Sequence, residues 1–191
     1  MKRVILFASG GGTNVQRITE FFKEDSEIFI TKVYVNNPDA YVLQRAKALH
    51  LPSLLFDRKD LYETGRVLEQ LVADQPDLIV LAGFLWLIPP SIIQQFPNRI
   101  VNIHPALLPQ YGGKGMYGMH VHKAVIAHKE KESGITIHLV NEQYDEGDIL
   151  FQATCPVSPE DTPEKLAQKI HSLEYENFPN VIQSYLRKIT P

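Results

Sequence analysis

The chain has one cysteine, Cys155, in 191 residues. That excludes an internal disulfide and suits a reducing compartment. No apolar run approaches a membrane span. The N-terminal run, Val4 to Ala8, is too short for the hydrophobic region of a signal peptide. A cytoplasmic protein outside the membrane is expected. Neither sign of charge dominates: 19 Lys and Arg face 22 Asp and Glu, for a formal net charge of -3. Bulk charge therefore gives no reason to expect a nucleic-acid partner. Cys-x-x-Cys and His-Glu-x-x-His are both missing, and His120-Val121-His122 is the only close pair among the seven histidines. No metal is expected. Ser9, Ser53 and Ser133 lack a Gly-x-Ser-x-Gly elbow. Cys155 has no adjacent base to activate it. The protein is expected to supply no nucleophile and to promote attack of one substrate on another.

What is present describes an α/β protein of one domain, residues 1–191. Hydrophobic residues make up 44% and charged residues 21% of the chain, close to the globular norm. Val4 to Ala8 reads as a strand buried on both faces. Ile28 to Val35, Leu54 to Phe56 and Leu78 to Ala82 read as further strands. Helical patterns separate them: one carries Val15, Ile18, Phe21 and Phe22, and one spans Tyr41 to Leu49. A third is marked by Leu61, Leu68, Leu71 and Val72. Pro89 and Pro90 open a short helix to Phe96. This alternation predicts a Rossmann-like, doubly wound, mostly parallel sheet. After Pro109 the pattern changes. A helix from His120 to Ala127 precedes two strands, Ile135 to Val140 and Ile149 to Pro156, which predict an antiparallel C-terminal portion. A long helix from Asp161 to Leu186 is expected to break near Pro179.

Three stretches carry candidate chemistry. Ser9-Gly10-Gly11-Gly12-Thr13-Asn14 joins a strand to a helix, the geometry that gathers backbone N–H groups around an anion. It is neither a Walker loop nor a full dinucleotide fingerprint, because Val15 takes the last glycine position. A small phosphate monoester fits it, and a tight turn that binds nothing stays open. In Ile100-Val-Asn-Ile-His-Pro105, Asn102 and His104 lie two apart on a strand and share a face. Pro105 ends that strand, so the pair stands where open α/β sheets bind ligands. An amide can polarise a carbonyl and an imidazole can move a proton. A polar strand end with a buried histidine stays open. Asp145, in the turn Asp145-Glu-Gly-Asp148, is the best carboxylate for the pair. The glycine-rich loop from Tyr111 to Gly118 reads as a lid or a plain surface excursion.

Taken together, Ser9-Gly-Gly-Gly-Thr-Asn-Val-Gln16, Leu81-Ala-Gly-Phe84, Asn102-Ile-His-Pro-Ala-Leu-Leu-Pro109 and Asp145-Glu-Gly147 resemble the phosphoribosylglycinamide formyltransferase family. The likeness runs over nearly the whole chain, in order. It implies the formyltransferase fold, with a phosphate-binding N-terminal half and a folate-binding C-terminal half. It implies a formyl group passing from 10-formyltetrahydrofolate, as cosubstrate, to the amine of 5-phosphoribosylglycinamide. By position it implies Asn102, His104 and Asp145 as the catalytic trio, and Gly12, Thr13 and Asn14 as the phosphate loop. His171 and Glu174 fall at positions that hold the ribonucleotide. Leu85, Trp86, Leu87 and Ile88 match the segment along the folate pterin, and Asn141 and Glu142 open a second folate-contacting loop that ends at Asp145. Asn102 also faces the folate. Lys59 stands where some relatives carry an arginine near the folate, and Trp86 replaces another arginine. The loop from Tyr111 to Met119 looks a few residues longer than usual. The partners so implied are two small molecules, with a homodimer left open. The competing readings are a formyltransferase acting on another amine, such as an amino sugar, and a phosphate-binding module without catalysis.

Overall fold

The N-terminal apolar run becomes the centre of the sheet. A computed structural model describes residues 1–189. Its seven strands are β1 (Lys2–Ala8), β2 (Ile28–Val35), β3 (Ser53–Leu55), β4 (Leu78–Leu81), β5 (Ile100–His104), β6 (Glu132–Leu139) and β7 (Ile149–Pro156). They lie in the order β3-β2-β1-β4-β5-β6-β7. The strands from β1 to β5 are parallel, while β6 and β7 run antiparallel to their neighbours. Period-two alternation splits β1 between two cores: Val4 and Leu6 pack on one face, Ile5 and Phe7 on the other. Both faces are therefore apolar and both are covered by helices.

The first face holds α1 (Thr13–Phe21), α2 (Val42–Ala48), α6 (Met119–Ala127) and α7 (Pro163–Lys188). Val15 and Ile18 of α1 are fully buried there. Each such aliphatic side chain contributes about 1.5–3 kcal/mol when taken from water. The opposite face holds α3 (Arg58–Tyr62), α4 (Arg66–Asp74) and α5 (Pro90–Gln95). Phe7 stacks on Tyr34 and meets Phe56 and Phe84 edge-on.

Two helical expectations are corrected. The stretch marked by Leu61 to Val72 is two helices. Asp57 caps α3 through a reciprocal capping box with Asp60. Gly65, at φ 74°, then turns the chain before α4. The C-terminal helix does not break at Pro179: α7 runs unbroken for 26 residues. Proline has no N–H for the carbonyl four residues back, here that of Tyr175. The Nε–H of Arg17, from α1, donates to that carbonyl instead (3.1 Å). One expectation is sharpened. The alternation in Ile135 to Val140 leaves neither face open, and β6 is buried from Ser133 to His138. Among the described residues no helix is long and apolar enough to cross a membrane.

Candidate active site

The chain leaves β1 through α1 towards β2, then crosses back from β3 to β4 on the other side. This reversal makes a crevice at the C-terminal ends of β1 and β4, where doubly wound sheets bind ligands. A cleft of roughly 480 Å³ occupies it. Its floor is tied together by Ser9. The Ser9 N–H donates to the Gly83 carbonyl (3.1 Å), and its Oγ accepts from the Leu85 N–H (3.0 Å).

At one end of the cleft Gly10, Gly11 and Gly12 lead into α1. Gly12 sits at φ 76° as N-cap, and a Cβ there would lie 2.4 Å from Cγ2 of Val42. Only glycine lets the loop lie so close to α2. No side chain caps α1, and the helix repeat begins with the Gln16 N–H on the Gly12 carbonyl (3.0 Å). The preceding amides are thus left open for an anion. Asn14, in the first turn, donates to Oε2 of buried Glu174 (3.0 Å), which His171 Nδ1 also approaches at 3.1 Å. The hydrogen bond to Glu174 pushes the His171 imidazole above its usual pKa. Oδ1 of Asn14 and Nδ1 of His122 are buried without a partner. His122 also lines the cleft.

The middle of the cleft gathers Asn102, His104, His138 and Asp145. Cross-strand pairing sets Asn102 opposite His138. His138 Nδ1 lies 2.9 Å from the Leu139 carbonyl, which only accepts. The proton is therefore on Nδ1, and Nε2 accepts from the Asn102 amide (3.1 Å). The other N–H of that amide reaches Asp145 Oδ1 only at 3.5 Å and can turn to a carbonyl oxygen in the cleft. His104 is 3% exposed. Its Nε2–H donates to the Tyr111 carbonyl (2.8 Å), and its Nδ1 faces Asp145 Oδ2 at 3.5 Å. Burial pulls the His104 pKa below its usual value and outweighs the upward pull of Asp145. Burial alone would raise Asp145. The His138 imidazole, with Nε2 3.6 Å from Oδ1, the charge interaction with His104 and the Gly113 N–H (3.0 Å) instead hold its carboxyl below the usual range. The site at rest is thus a neutral imidazole beside a carboxylate.

The far end is apolar. Leu85, Trp86, Leu87, Ile88 and Val140 line the cleft there. The sequence-predicted residues divide accordingly. Gly12, Thr13, Asn14, Asn102, His104, Asp145, His171, Glu174 and the segment 85–88 all line one cleft. Lys59, Asn141 and Glu142 are exposed and outside its lining. Asn141 Oδ1 instead accepts from the Gln143 N–H (2.9 Å). The neighbouring Arg58 places its guanidinium over the rings of Tyr62 and Trp86. His138 is the residue that sequence reasoning missed. The alternation in β6 put it on one face with Thr136, but only the register with β5 puts that face against Asn102.

Comparison with known proteins gives a consistent result. The sequence pattern of the family described as formyl transferase matches residues 2–182. The chain is 39% identical over 187 residues to the chloroplastic phosphoribosylglycinamide formyltransferase of Arabidopsis thaliana, covering 95% of this chain and 64% of that protein. It is 36% identical over 192 residues to the phosphoribosylglycinamide formyltransferase of Bacillus subtilis, covering 97% of this chain and 95% of the relative. It thus spans under two thirds of the plant protein and nearly all of the bacterial one. Its fold matches glycinamide ribonucleotide transformylase 1 of Symbiobacterium toebii, with TM-score 0.90 at 33% identity over 98% of this chain and 89% of the other.

Proposed function

The chain belongs to the formyl transferase family, and from that premise we propose that it transfers a formyl group from 10-formyltetrahydrofolate to the amine of 5-phosphoribosylglycinamide. One juxtaposition carries this reading: an open amide cradle, a carboxylate–imidazole pair and an apolar lining share a single cleft. The acceptor's phosphate would lie on the amides from Gly11 to Asn14. Glu174 and His171 would take its ribose hydroxyls. Asn14 Oδ1 and His122 Nδ1, buried without partners, offer polar contacts in the same part of the cleft. The apolar lining from Leu85 to Ile88 with Val140 would suit a flat ring system, and a folate bound there would carry its formyl group towards Asn102. The donor supplies the electrophilic carbon.

The protein's part is then positioning and proton movement. The Asn102 amide donates to the formyl oxygen as negative charge develops there. The amine nitrogen bonds to the formyl carbon, and the bond from that carbon to the donor nitrogen breaks. His104, neutral at rest, takes up the amine proton and returns it to the leaving nitrogen. Asp145 remains anionic and stabilises the imidazolium while it exists. His138 fixes the Asn102 amide. Because the Tyr111 carbonyl holds His104 Nε2, closing or opening of the 111–119 loop would set how the imidazole meets substrate. Two small molecules suffice, in a cytoplasmic protein that needs neither membrane nor nucleic acid.

The test follows folate absorbance with and without the ribonucleotide. Turnover should require phosphoribosylglycinamide. Equal folate consumption without it would indicate hydrolysis instead, and turnover with an amino sugar alone would reassign the acceptor.

A further inference from the structure

The glycine loop does not hold its own shape. Two of its carbonyls are pinned from behind by α2: the Gly10 carbonyl accepts from the Val42 N–H (3.1 Å), and the Gly11 carbonyl from Arg45 Nε (2.8 Å). Arg45 is not among the residues that line the cleft. In a trans peptide the C=O of one residue and the N–H of the next point in opposite directions. Pinning the Gly10 and Gly11 carbonyls towards α2 therefore turns the Gly11 and Gly12 amides away from it, on the side where the loop borders the cleft. Val42 donates through the backbone at the start of α2, so that bond is set by the position of the helix. Arg45 is a side chain and needs its own support. Its Nη1 donates to Gln16 Oε1, Gln16 Nε2 donates to Glu20 Oε1 (2.8 Å), and its guanidinium lies over the Tyr41 ring. Both helices that flank the loop thus fix the guanidinium that fixes the loop.

We propose that Arg45 is a positioning residue for phosphate: it holds the Gly11 carbonyl so that the Gly12 amide faces the acceptor's phosphate. This deepens the reading of the cleft given above and rests on it for the identity of the acceptor. Glycines at this point would otherwise rotate freely, and the amides would have to be ordered at the moment of binding.

The experiment compares wild type, Arg45→Gln and Arg45→Lys in two assays. Ribose 5-phosphate binding is measured by calorimetry. kcat/KM is measured with phosphoribosylglycinamide and with its dephosphorylated riboside. Arg45→Gln should weaken ribose 5-phosphate binding about ten- to hundredfold, the range for a hydrogen bond to a charged group. The ribonucleotide's kcat/KM should fall by the same factor, through KM, while that for the riboside stays unchanged. Lysine carries a carbon where arginine carries Nε, so Arg45→Lys should be intermediate. It also serves as the informative variant if Arg45→Gln does not fold. Unchanged ribose 5-phosphate binding, equal losses with both acceptors, or full rescue by lysine would each overturn the proposal. If wild type binds ribose 5-phosphate but formylates neither acceptor, formyl transfer fails as the reading, and the binding comparison still decides for Arg45. If wild type does not bind ribose 5-phosphate, the role of Arg45 fails with the phosphate loop.

Discussion

His104 and Asp145 each shift the other's pKa, and under the proposed function their contributions to rate should not be independent. At rest the imidazole is kept neutral by burial, with its bare Nδ1 3.5 Å from a carboxylate. That arrangement is mildly unfavourable. It becomes a charged pair only when His104 accepts a proton, so in the proposed reaction Asp145 would stabilise the protonated state more than the resting one. General acid–base assistance is worth roughly 10²–10⁴ in rate, so His104→Ala and Asp145→Asn should each lower single-turnover rate within that range. The double variant should be far less impaired than the product of the two, because the carboxylate has nothing to stabilise once the imidazole is gone. Strictly multiplicative losses would show that the two act separately. Asn102 and His138 form the complementary pair. There the histidine accepts and the amide donates, so His138→Ala should act by loosening Asn102 and not by removing a proton carrier.

Among the elements, α7 shows what a sequence can and cannot disclose. Its start was legible to within two residues: the helical pattern begins at Asp161, and the helix begins at Pro163 with Thr162 as its cap. Its continuity was not, because the group that replaces the missing Pro179 N–H is Arg17, 158 residues from Tyr175. Arg17→Met should cost about 1 kcal/mol, the net worth of an ordinary hydrogen bond. For a chain of this size that lowers Tm by roughly 2–4 °C. In a Pro179→Ala background the restored amide can satisfy Tyr175, so the same substitution should cost nearly nothing. An undiminished cost in that background, by thermal melts of all four proteins, would show that Arg17 acts elsewhere. The same division runs through the site. Asn102 and His104 were legible because their spacing on one strand decides their face. The glycine loop was legible because local chain geometry makes its cradle. His138 was not, since its role depends on register with a strand 36 residues away. Gly65 was also passed over, although its positive φ is what divides α3 from α4.

Across the whole molecule the buried histidines make stability depend on pH. His104 and His122 both have folded pKa values below the ordinary 6.5, with burial the main cause. As pH falls through 6.5 the unfolded chain takes up protons that these two folded sites refuse, so stability drops until the folded values are reached. His171 has the opposite sign: its hydrogen bond to Glu174 raises its pKa. Its contribution is full below 6.5 and is lost as pH rises through the folded value. Solvent screens it, because half of that side chain is exposed. The acid-side loss should therefore dominate, and urea unfolding at pH 5, 6, 7 and 8 should give the weakest protein at pH 5. His122→Leu should flatten that slope, since it removes a buried titrating group whose Nδ1 has no partner. An identical slope in the variant would remove His122 from the account. The Asn14–Glu174 hydrogen bond, which joins residues 160 apart, also matters while the chain is being made. At roughly 5–20 residues per second a ribosome needs about 8–32 s to span that interval. For all that time Asn14 beside the glycine loop lacks its carboxylate partner, and on the proposed function ribonucleotide would gain little by meeting the nascent chain. On the proposed function, any stabilisation by bound acceptor would therefore reach finished molecules and not those still emerging.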